Sequence, residues 1–281
     1  MIDAASARSR PAFDRLLRWG GAAALAGSLI FIGERLYRLD WSTLQPHMSA
    51  GLVGGIAAGT LLFAAADRSL AHAWAVTADP ERAFPRYELG RVYARGVLLK
   101  YLPGSIFQYV SRQAEGARKG MAHQRLARST LIEVGLHLVS SMAVAAAFLA
   151  GAWSPPVAVL GLGAFVATAL FLRRPLATAL AFQILSFCLF GLAAMLIGAA
   201  VLPAESSLAH FAALFLLAWL AGFVVPVAPG GIGVREAALL ALGGSIMPPA
   251  GLMAATLALR AGSICGDLVY GLATLTRRSP Q

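Results

Sequence analysis

Two arginines in this chain stand just downstream of a proline-glycine break in otherwise apolar sequence. Lys100-Tyr101-Leu102-Pro103-Gly104 precedes Arg112, and Ala228-Pro229-Gly230-Gly231-Ile232-Gly233-Val234 runs directly into Arg235 and Glu236. A helix that restarts after such a break presents free N–H groups and the positive end of its dipole, which favour an anion. Gly230, Gly231 and Gly233 remove the side chains that would keep a ligand from the backbone, and the planar guanidinium fork suits phosphate oxygens. The chemistry implied is recognition of an anionic head group by Lys100, Pro103, Gly104, Arg112, Pro229, Gly230, Gly231, Arg235 and Glu236. The plainer alternative is a loop that turns between short helices, with Arg235 paired to a carboxylate or snorkelling to the interface, and with Lys100 and Arg112 as charge anchors.

Ionisable residues inside apolar segments add two more candidates. Glu133 and His137 are four apart and share a helix face, as a proton-sensitive pair or simply as mutual partners. Arg260 and Asp267, seven apart, also share a face, and an internal ion pair that bridges to another helix accounts for them. No catalytic constellation accompanies them: nucleophile-elbow, HExxH and GxxxxGK[ST] spacings are all missing. Cys188 and Cys265 fall within apolar segments without CxxC or Cys/His spacing, so they read as packing residues, and neither a metal nor a cofactor is expected.

The elements that position these groups are membrane helices. Of 281 residues, 58% are hydrophobic and 13% charged, far from the balance of a soluble domain. Charge-free runs cover 48–66, 134–172 and 175–204. The longest must hold two helices joined at Pro155-Pro156, since about 20 apolar residues cross a bilayer core. Spans are expected at 19–35, 48–72, 128–151, 155–172, 176–201, 207–225, 233–248 and 251–274. Residues 1–33 read as a retained first helix rather than a cleaved signal, because the run ends in Gly33-Glu34-Arg35 without a small-x-small cleavage site. The expectation is an all-α, polytopic integral membrane bundle, a single transmembrane domain over 1–281 with about eight membrane segments and short re-entrant or broken helices at the Pro-Gly motifs.

Charge orients that bundle. The net +10 excludes nothing by itself, but the basic residues flank apolar runs and form no soluble basic domain, which argues against nucleic acid. Residues 1–18 form a basic cytoplasmic N-terminus, 74–128 a basic cytoplasmic or interfacial segment containing the first break, and 226–236 the second break. Arg277 and Arg278 place the C-terminus inside as well. Val234 to Ile246 is too short to cross comfortably, so 207–248 is either two short crossings or one re-entrant hairpin. Gly51, Gly55 and Gly59 line one helix face with small residues for close helix approach, with a homodimer seam as the alternative.

At 100–104 and 229–236 the sequence resembles the lysylphosphatidylglycerol synthase transmembrane-region family of flippase-like membrane proteins. Members show K-Y-[LI]-P-G in the first half and P-G-G-[LI]-G-x-R-E in the second, and both stand here in that order. The resemblance covers most of the chain and implies a polytopic bundle that moves, or helps to move, a lipid between leaflets; with the charge pattern, the expectation is a multi-pass protein of the bacterial inner membrane with both termini cytoplasmic. In the named synthases this region is fused to a soluble aminoacyl-transfer domain; no room for one follows Arg278, so that activity is not expected. One departure stands out: members often carry E-R-x-x-D near the third span, where this chain has Glu133-Val134-Gly135-Leu136-His137.

The leading expectation is a translocase for an anionic lipid, either a phospholipid or a polyprenyl-phosphate-linked glycan carrier, held by the residues above together with Glu133 and Arg260. Two alternatives remain open. One is a membrane transferase using Glu133, His137 or Asp267 as acid or base. The other is a non-transporting partner of a lipid-synthesis enzyme.

Overall fold

The computed structural model describes residues 48–102, 106–151, 174–225, 233–244 and 247–277, with Gly231 and a few isolated positions besides. Pro103, Gly104, Pro229 and Gly230 lie outside the described residues, as do nearly all of the expected spans at 19–35 and 155–172. Among the described residues all regular structure is helical: α1 (Ala50–Ala78), α2 (Arg86–Leu99), α3 (Phe107–Arg118), α4 (His123–Gly151), α5 (Pro175–Val201), α6 (Leu208–Val224), α7 (Val234–Gly243) and α8 (Pro249–Thr276).

Four of these, α1, α4, α5 and α8, are long and apolar enough to cross a membrane. At 29 residues, α1 is about 44 Å long, more than the hydrocarbon core requires. The 17 residues of α6 give about 26 Å and the 10 of α7 about 15 Å, so α7 is too short to cross.

Local chemistry sets the helix ends. The Ser49 hydroxyl accepts from the Leu52 N–H to open α1, and the Ser207 hydroxyl accepts from the His210 N–H to open α6. Pro175 and Pro249 occupy first-turn positions of α5 and α8, where a missing N–H costs nothing. After α1 the Asp79 carboxylate accepts from the Ala83 and Phe84 N–H groups, and Arg86 donates back to the Ala75 and Asp79 carbonyls. That knot turns the chain into α2.

In the packing, α1 lies along α5 and α8, α4 contacts α5 and α6, and α7 sits against α6 and α8. Gly55 and Gly59 face α5, where an added Cβ would lie 3.1 Å from the Leu196 carbonyl and 3.0 Å from Ile197 Cδ1. Among the described residues a Cβ on Gly51 would meet only Ser49, so within them the small-residue face is in use over part of its length. Because lipid tails supply no hydrophobic drive between helices, polar contacts add to this seam: Ser69 donates to the Phe182 carbonyl and Ser186 to the Ala66 carbonyl. A large apolar core joins α1, α4, α5, α6, α7 and α8, and a smaller one gathers the second half of α1 with α2, Met121, Leu126 and Tyr270. The polar groups of interest lie between them.

Candidate functional site

Arg112 sits mid-way along α3, facing inward and 3% exposed. Its Nη1 donates to Glu133 Oε2 at 2.6 Å, and Tyr93 donates its hydroxyl to the other carboxylate oxygen at 2.9 Å. The guanidinium also lies over the rings of Tyr93, Tyr109 and Trp74, at 4.6, 5.1 and 5.6 Å from their centroids. Gly96 on α2 opens the space, since a Cβ there would come within 3.3 Å of Arg112 Cγ. Buried charges persist when paired and hydrogen-bonded, and this one is both. Glu133 and His137 do not pair through their side chains: the His137 ring bonds the Glu133 backbone carbonyl at 2.8 Å and packs against Phe187, Trp219 and Phe223.

Arg235 occupies the first turn of α7. Its guanidinium lies 5.1 Å from the Trp219 ring centroid, and its buried Nε has no hydrogen-bond partner among the described residues. Two glycines hold the slot open. A Cβ on Gly222 of α6 would fall 2.3 Å from Arg235 Cγ, and one on Gly231 would fall 2.7 Å from Arg235 Nε. Gly231 at φ 70° and Gly233 at φ 85° adopt the left-handed conformation that side chains disfavour, so these two glycines let the chain turn into α7 here.

The neighbouring Glu236 is fully engaged. Its carboxylate accepts from the Gly233 N–H at 2.7 Å and pairs with Arg260 of α8 at 2.5 Å. The helix start that the sequence offered to a ligand anion is therefore met in part by the chain's own carboxylate. What remains is the Arg235 guanidinium rather than the bare helix terminus.

Lys100 and Tyr101 join the two halves. Lys100 caps the C-terminal end of α2, and its ammonium reaches Asp267 of α8 at 2.8 Å, while the buried Tyr101 donates its hydroxyl to the same carboxylate. Arg260 and Asp267 thus each bridge to another helix rather than to each other. Two cavities flank this junction. The first, about 40 Å³, is lined by Tyr101, Glu236, Arg260 and Asp267; the second, about 80 Å³, by Asp67, Tyr93, Arg112 and Glu133. Lys100, Trp219 and Arg235 line both. Since roughly 10–15 Å³ suffices for one water, each cavity has room for several waters and neither has room for a phospholipid head group without opening. Each is lined by three cations and two carboxylates.

The structure therefore brings Lys100, Arg235, Glu236 and Arg260 together and sets Arg112 with Glu133 across the second cavity. Gly231 shapes the slot. Asp67, Tyr93, Trp219 and Gly222 also belong to the site. For Asp67 a signal was present, an acid inside the expected span 48–72; the other three carry none that periodicity or charge would reveal. Among the described residues no group of metal-ligating side chains gathers. No family model matches the chain, and no curated protein or solved structure shows significant similarity to it.

Proposed function

We propose that this chain is a flippase-like translocase of the lysylphosphatidylglycerol synthase transmembrane-region type, moving a lipid with an anionic head group between leaflets. The observation that carries the reading is Arg235: a guanidinium on the border of two polar cavities, over an aromatic ring, with a buried Nε that has no hydrogen-bond partner among the described residues. Leaving such a group unpaired is costly, and a phosphate oxygen would relieve the cost. Lys100 and Arg260 add positive potential within reach, while Trp219 offers a flat face against which the head group can lie. Arg112 is held by Glu133 and shapes the second cavity without competing for the anion.

In this reading the phosphate enters from one leaflet, exchanges between the cavities at Arg235, and leaves toward the other, with the acyl tails remaining in lipid. Both cavities are too small for the head group as they stand, so passage requires the helices around them to separate. The bundle sits in the bacterial inner membrane with both termini cytoplasmic and about eight membrane segments, of which α6 and the short α7 form a re-entrant hairpin. The phospholipid or polyprenyl-phosphate carrier is the substrate, unchanged by passage.

The test is reconstitution with fluorescent phosphatidylglycerol and a membrane-impermeant quencher. Label exposure is expected to exceed that of protein-free vesicles. Replacing Arg235 with Gln removes a charge-assisted hydrogen bond of about 1.5–3 kcal/mol, so the rate should fall roughly ten- to hundred-fold. Exchange no faster than in empty vesicles would overturn the reading. Recovery of a chemically altered lipid would make the chain a transferase instead.

A further inference from the structure

Asp67 takes no part in the reading above. It lies within α1, 3% exposed, and its Oδ2 has no hydrogen-bond partner among the described residues although it borders the second cavity. Its immediate electrostatic neighbours are the Asp267 carboxyl, against which its side chain can hydrogen-bond, and the Lys100 ammonium. Tyr93 of α2 and Tyr270 of α8 also face it. Glu133 and His137 of α4, Arg112 of α3 and Arg235 of α7 look onto the same cavity, Arg68 beside it is exposed, and α5 carries no charged residue.

Two carboxylates therefore share one ammonium. Lys100 is bound to Asp267, and Tyr101 donates to that same carboxylate, which leaves Asp67 with a like charge beside it and no donor for Oδ2 among the described residues. Adjacent carboxylates away from bulk water are not both kept ionised when a proton is at hand. A metal ion is a poor occupant: no cluster of three or more metal-ligating side chains exists among the described residues, and the Lys100 ammonium already fills the cationic position.

We propose that Asp67 and Asp267 form a proton-binding site whose occupancy strengthens anion binding in the adjoining cavities. The proton comes from water in the second cavity and lands on Asp67 Oδ2; the new O–H then donates toward the Asp267 carboxylate, which keeps Lys100 and Tyr101. Protonation cancels one negative charge, so the Lys100 and Arg235 side of both cavities becomes more positive by one unit. Linkage is reciprocal: an anion at Arg235 must draw the proton onto Asp67 by the same factor. This second half rests on the anion reading of the site, whereas the proton site does not.

The experiment is pH-difference infrared spectroscopy of the full-length protein in nanodiscs of zwitterionic lipid. A protonated-carboxyl band is expected to grow on acidification, to vanish in Asp67→Asn, to shift in Asp267→Asn and to persist in Glu88→Gln, which removes a carboxylate outside the site. Added glycerol phosphate, as the soluble probe, should move the midpoint of that band to higher pH in wild type and not in Arg235→Gln. Absence of any band removed by Asp67→Asn would overturn the proton site and leave the anion reading standing. A band that is present yet indifferent to glycerol phosphate would support the proton site and overturn the linkage with anion binding. A signal that responds to sodium and not to pH would overturn the proton as occupant.

Discussion

Arg112 and Arg235 follow the same kind of sequence break, yet the fold treats them in opposite ways. Arg112 receives a carboxylate from α4, a hydroxyl-braced one at that, and three aromatic rings. Arg235 receives one ring and two glycines that clear its path, while the nearest acid, Glu236, is committed to the Gly233 N–H and to Arg260. What decides whether a buried guanidinium is structural or available is the acid that another helix delivers, and a break motif says nothing about that.

The widest separation between the two sites should come from removing their partners. Glu133→Gln leaves Arg112 buried without its counter-charge and is expected to cost about 3–5 kcal/mol of stability, whereas Arg235→Gln should change stability by less than about 1 kcal/mol. Denaturant unfolding in detergent measures both; equal losses would erase the distinction. A smaller effect is expected from the glycines. Gly222→Ala forces its Cβ against Arg235 Cγ and should cost about 1–3 kcal/mol while displacing the guanidinium. The double variant with Arg235→Ala should recover most of that stability and none of the lipid exchange. If Gly222→Ala retains full exchange, the slot is not where the anion is held.

The smallest effect tests burial itself. Glu88 of α2 pairs with Lys119, just past α3, in contact with solvent, and the Lys119 ammonium holds its carboxyl below the usual value mainly through their hydrogen bond. A carboxyl lowered in the fold contributes stability above its unfolded value and loses it as pH falls through the folded one. The gap in melting temperature between wild type and Glu88→Gln should therefore be small at neutral pH, close on acidification and disappear at high salt. A gap as large as that of Glu133→Gln would show that pairing alone, without burial, sets the energetics.

Much of the fold was legible. Apolar run length located the four long helices but cut two of them short: α1 continues beyond 72 to Ala78, and α4 begins at His123, taking in Arg125 and Arg128, rather than near 128. Those charges are accommodated because their surroundings, not their hydropathy, decide where a helix ends. Within the site, Arg112, Glu133, Lys100, Asp267, Arg235 and Arg260 were each visible as charged residues near or within apolar sequence. Their pairings were not, because the partners come from different helices: Lys100 and Asp267 are 167 positions apart. Gly222 and Trp219 were invisible for the complementary reason, being ordinary residues of an apolar helix until α7 folds against them.

Glu236 is a mechanical link between two helices. One carboxylate fastens the first turn of α7 and, with its other oxygen, grips α8. Any tilt of the short helix relative to the long one must strain the Glu236–Arg260 pair, so α7 and α8 behave as a clamped pair, and Arg235, one residue away, travels with them.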